Sequence, residues 1–197
     1  MDAHDAALLA TQLAMGFALA ACVGLRAFLP LLVAGALARS GYVELGHSFE
    51  WMASTPALVV FGSALAFEIL ADKVPGLDHA LHAVEAFVKP VAGTLLAASL
   101  LTELDPTTAM VLGLIGGGTV AEAVHLLRGT TRVASTALTG GLANPLLSML
   151  DDGLAVAGVA LAILVPVIAA LIVIALVVLA VRIFRRRPRE TTQGSPT

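Results

Sequence analysis

Glu68 and Asp72 stand four residues apart, and Glu122 and His125 three apart, in stretches otherwise apolar enough for a membrane interior. At those spacings each pair shares one face of a helix. Ionisable groups in hydrocarbon are costly and mark function by default. Three chemistries fit them. In a proton relay the carboxylates carry protons with His125 as partner. In a metal site Glu122 and His125 form a Glu-x-x-His element, but the four-helix di-iron pattern needs two and this chain has one. In a structural role Glu68, Asp72 and Glu122 pair with Lys73, Arg128 or Arg132.

Two further groups of residues could act on a ligand. Ser135 to Ser148 carries hydroxyls, Gly140-Gly141 and Asn144-Pro145 in an apolar stretch, and broken backbone at membrane depth lines a cavity or is buried in protein. Asn144 and Arg26 therefore join the candidate pathway residues. After Pro75-Gly76, Leu77 to Phe87 reads as a short helix with Asp78, His82, Glu85 and Lys89 on one face. That face is expected to be solvated; Asp78, His79, His82 and Glu85 are only a weak metal set. No cofactor is expected. No Gly-x-Ser-x-Gly, phosphate loop or His-Glu-x-x-His accompanies these residues, so an enzyme is the less favoured class.

The elements that must position these groups are membrane spans. Of 197 residues 58% are hydrophobic and 13% charged, too few charges for a soluble surface. Mean hydropathy is +0.95. No basic stripe interleaved with aromatics points to nucleic acid. Single Cys22 excludes an internal disulfide, and its lipoprotein-like setting lacks a basic start. Spans need about 20 apolar residues. They are predicted at Ala6–Leu25, Pro56–Ala71 (capped by Ser54-Thr55), Phe87–Leu101, Thr107–Leu127 (opened by Asp105-Pro106) and Leu154–Val181 (bent at Pro166). Ala27–Ala38 and Val133–Leu150 are shorter or broken, and each reads as a span or a re-entrant hairpin. Trp51 and Tyr42 are the interface aromatics.

Counting basic residues favours the crossing scheme. With seven spans Arg26, Lys73, Lys89, Arg128 and Arg132 lie inside with the arginine-rich tail, and only Arg39 lies outside. The N-terminus is then outside, and Asp2, Asp5, Glu44, Glu50, Glu103, Asp105, Asp151 and Asp152 face outward. In that scheme Glu68 and Glu122 lie at similar depth and can meet. Gly24–Leu32 echoes Gly141–Leu147, an internal repeat of three spans, one connecting span and three more. Gly16, Ala20 and Gly24, and Gly113, Gly117 and Ala121, form small-residue stripes for close helix contacts.

Three segments together resemble a known family. They are Gly24-Leu25-Arg26-Ala27-Phe28-Leu29-Pro30, then Glu68-Ile69-Leu70-Ala71-Asp72-Lys73-Val74-Pro75-Gly76-Leu77-Asp78-His79, then Ala134-Ser135-Thr136-Ala137-Leu138-Thr139-Gly140-Gly141-Leu142-Ala143-Asn144-Pro145. The combination is similar to the bacterial membrane family catalogued as domain of unknown function 4126. The resemblance implies a compact multi-pass protein of the cytoplasmic membrane and no particular activity.

The expectation is an all-α polytopic transmembrane bundle of about seven elements. Residues 1–184 form one membrane domain, and residues 185–197 a basic then polar, disordered cytoplasmic tail. The expected function is a small transporter or permease-like protein for an ion, small solute or lipid. The alternatives are an accessory or scaffold subunit and, third, a membrane-embedded enzyme. A transporter should enclose a polar cavity reaching Glu68, Glu122 and Asn144; an accessory protein should bury those groups in ion pairs. Expected partners are the lipid bilayer, anionic lipid at the basic tail, and a second copy or membrane partner at a small-residue face.

Overall fold

A computed structural model describes residues 3–72 and 77–166, with scattered helical positions between 168 and 182. Lys73, Pro75-Gly76, the side chains of Asp78, His79 and His82, and the tail from Arg185 onward lie outside the described residues. Every described element is helical. In order they are α1 (Ala3–Leu25), α2 (Phe28–Arg39), a 3-10 helix (His47–Ala53), α3 (Thr55–Ala71), α4 (Leu77–Ser99), α5 (Pro106–Leu112), a π-helical segment (Gly113–Gly118), α6 (Thr119–Thr139) and α7 (Asn144–Leu164).

Local sequence accounts for the helix ends. The Ser54 side chain accepts from Ala57 N ahead of α3, and Asp105 accepts from Thr107 N and Thr108 N ahead of α5, each with proline in the first turn. The Thr108 hydroxyl first, and then the backbone amide of Thr108, hold the exposed Asp105 carboxyl below its usual value. α7 stops before Pro166, with Val165 out of the helical region, which a following proline disfavours.

Among the described residues three helices are long and apolar enough to cross a membrane: His4–Leu25, Pro106–Thr139 and Asn144–Leu164. The pair His47–Ala53 and Thr55–Ala71, bent by 62°, would make a fourth. That is fewer than the seven elements expected, and three expected boundaries move. The short helix at Leu77 and the span at Phe87 are one helix, α4, running through Pro90. Thr107–Leu127 is lengthened, because α5, the π segment and α6 form one helix of 34 residues. Val133–Leu150 is not an element of its own: it is the end of α6, a tight turn with Gly140 and Gly141 at positive φ, and the start of α7.

The stripes of small residues are where backbones meet. A Cβ on Gly93 of α4 would stand 2.6 Å from Ala121 Cβ and 2.8 Å from the Gly117 carbonyl oxygen. A Cβ on Gly24 would stand 2.5 Å from the Ala121 carbonyl oxygen, so α1, α4 and α6 touch backbone to backbone. Outside this core the surface is apolar. Phe87, Leu114, Ile115, Leu138, Leu142 and Leu146 are exposed, while Arg26, Glu68, Lys89 and Arg128 are buried.

Candidate functional site

The buried charges collect at one level of the bundle. Asp72, one residue past α3, is the hub. Arg132 donates to both its oxygens at 2.7 and 2.9 Å, in the fork geometry that suits a guanidinium to a carboxylate. Arg26 donates to it at 2.9 Å, Arg128 at 3.1 Å and the Ser148 hydroxyl at 2.6 Å. Arg26 follows α1, Arg128 and Arg132 belong to α6, and Ser148 to α7, so one carboxylate joins four helices.

The network extends in two directions. Toward α7, Arg26 Nε pairs with Asp152 and Arg128 Nε with Asp151 at 2.7 Å. Toward α4, Arg128 Nη1 reaches Glu85 at 3.2 Å. Lys89, fully buried, donates to the same Glu85 oxygen at 2.8 Å. Its ammonium also stands 3.3 Å from His125 Nδ1 and 3.5 Å from the Leu25 carbonyl. Among the described residues the network's four cations, Arg26, Lys89, Arg128 and Arg132, are thus equalled in number by four carboxylates, Asp72, Glu85, Asp151 and Asp152. Pairing of this kind is what lets charge persist away from water.

Glu68 does something else. It accepts from the backbone amides of Ala27 at 2.9 Å and Phe28 at 3.4 Å. These are orphan donors at the start of α2, where the helix dipole is positive, so the carboxylate caps that helix.

The expected site residues therefore part company. Arg26, Asp72 and His125 come together, and the structural pairing of Asp72 with Arg128 and Arg132 holds. No bond joins Glu68 to Glu122. Glu122 is half-buried on α6, with Oε2 enclosed and without a hydrogen-bond partner. Asn144 bonds outside the network, although Ser148 one turn later belongs to it: its Nδ2 donates to Thr136 Oγ1 at 3.0 Å and ties the α6–α7 turn. Two expectations are overturned. Asp151 and Asp152 do not lie on the face opposite the basic residues; they bond to Arg128 and Arg26. The Glu85–Lys89 face of α4 is not solvated, since both side chains are buried while Val84 and Phe87 are exposed. In an apolar surround the polar face turns inward. Of the weak metal set, Glu85 is engaged by Lys89 and Arg128; the other three side chains are not described.

Helical rise gives the depth. Gln12 Nε2 donates to Thr102 Oγ1 at 2.8 Å at the other end of the bundle. From Gln12 to Arg26 is about 21 Å along α1, and α6 runs about 10 Å beyond Arg132 to its last residue. The network is thus set in from both ends, below an α6–α7 turn whose Leu138 and Leu142 are 85% and 88% exposed. The open groove at the Gln12 end is lined by Ala38, Glu44, His47, Glu50 and Thr102, and includes no residue of the network.

The family model described as Domain of unknown function (DUF4126) matches residues 13–186. No curated protein and no solved structure matches the chain.

Proposed function

The chain belongs to the domain of unknown function 4126 family, and from that premise we propose that it is a small permease-like membrane protein, for an ion or small solute, whose path is latched shut by the buried charge network. One observation carries this reading: Asp72 and its three arginines are buried within a bundle with an apolar exterior. A bundle built only for stability has a cheaper core, because apolar residues of similar volume commonly replace buried ion pairs without loss. Ion pairs spread over several helices can exchange partners when helices shift, and a passing ion or solute can take the place of one partner. In this reading the N-terminus is outside, the network lies toward the cytoplasmic face, residues 1–184 act as one domain, and the basic tail rests on anionic lipid of the bacterial inner membrane. In this reading the echo of Gly24–Leu32 at Gly141–Leu147 marks paired halves of a carrier.

The accessory-subunit reading is favoured by the completeness of the pairing. Water access separates the two. Ser148→Cys, in a chain with Cys22→Ala, places a thiol in the network. A permease should let an impermeant maleimide reach it from one side of sealed vesicles. Reaction only after detergent unfolding would overturn the permease reading and leave the accessory one.

A further inference from the structure

Glu122 stands apart from the network, and its setting points to a separate site. It lies at the middle of the 34-residue helix Pro106–Thr139, about 24 Å from either end. Leu126, four residues after it, shares its face and is 58% exposed. Gly118, one turn before it, packs on Pro90 and Thr94 of α4, which places Glu122 at the outer edge of the α4–α6 seam.

Among the described residues, every cation on the elements packed around it is already bonded elsewhere. On α4, Lys89 is engaged by Glu85, His125 and the Leu25 carbonyl. On α6 itself, His125 faces Lys89, while Arg128 and Arg132 hold Asp72 and Asp151. From α1, Arg26 holds Asp72 and Asp152; α7 presents only the paired carboxylates Asp151 and Asp152. An isolated carboxylate in hydrocarbon sheds its charge by taking up a proton. We infer that Glu122 is a proton-binding site: a carboxylic acid held in the bilayer at the α4–α6 seam, outside the ion-pair network. The inference rests on the membrane placement of α6 and not on the permease reading.

The site has a specific chemistry. A lipid-soluble carbodiimide reacts with a protonated carboxyl in an apolar place. The acid adds its proton and carboxylate oxygen across one C=N bond to give an O-acylisourea. The acyl group then migrates to nitrogen as a stable N-acylurea, and nothing is released. The protein in lipid nanodiscs should form this adduct with dicyclohexylcarbodiimide on the peptide containing Glu122, with loss of the adduct in Glu122→Gln and slower reaction as pH rises. Infrared difference spectra of the parent against Glu122→Gln should show the carbonyl stretch of a protonated acid. Absence of that band, or unfolding of Glu122→Gln at a much lower temperature than the parent, would show an ionised, paired carboxylate and overturn the proposal. Ser148→Cys labelling reads a different place, so either idea can fail alone.

Discussion

Asp72 and Asp152 both bond to Arg26, yet they should differ sharply in worth. The Asp72 side chain is 2% exposed and serves three guanidinium groups; that of Asp152 is 33% exposed and serves one. Asp72→Asn strands buried positive charge, which typically costs about 3–5 kcal/mol. Asp152→Asn leaves Arg26 its bond to Asp72 and should cost about 1 kcal/mol or less. Thermal unfolding in detergent measures both, and equal losses would contradict the hub. Glu68→Gln should fall between, since one amide of α2 keeps an acceptor and the other meets an NH₂ group; an unsatisfied donor costs about 1–3 kcal/mol. At this scale the sequence told part of the story. Helical spacing put Glu68 and Asp72 on one face, and charge sign paired Asp72 with arginines. Spacing could not show that Glu68 would seek backbone amides, because the start of α2 is brought to it only by the fold. Ser148 was seen as part of a ligand element, and its role as a donor to Asp72 depends on how α7 is placed.

The helices carry their own tests. Gly117 of the π segment faces Gly93 and Ala97 of α4, and any Cβ there collides with the Gly93 carbonyl. Gly117→Val should force α4 and α6 apart and cost at least the 1–3 kcal/mol typical, roughly, of an overpacked core. Gly62 on α3 has nothing within 4 Å of a Cβ, so Gly62→Ala should be neutral or stabilising by about 0.4–1 kcal/mol. Comparing their unfolding temperatures checks the pair; a Gly117→Val chain as stable as the parent would refute the close approach. The small-residue stripes were legible because membrane helices need them. The polarity of α4 runs opposite to its sequence expectation for a physical reason. Glu85 and Lys89 at i and i+4 mark the wet side of a helix in water, whereas beside lipid the same spacing marks the inner side. Phe87 and Val84 on the opposite face were the available signal.

For the molecule as a whole, apolar residues lie outside and charges within. In the proposed orientation a cysteine at Glu44 should react with impermeant reagent from outside, and one at Leu142 in the α6–α7 turn only from the cytoplasmic side, both in a Cys22→Ala chain. Labelling of position 142 from outside would reverse the orientation. Hydropathy and caps located most helices. The basic-residue count could not locate Asp151 and Asp152, because acids weigh little in it and their place follows from ion pairs formed across α6 and α7. The tight turn at Gly140 and Gly141 bears on how the chain is made. Arg128 and Asp151, 23 positions apart, belong to helices that leave the ribosome in succession. Each alone would enter lipid carrying charges that cost about 2.5–3.5 kcal/mol apiece at mid-bilayer. Joined as a hairpin they can leave the insertion machinery together with their charges already matched, so membrane entry would proceed by helix pairs rather than one helix at a time.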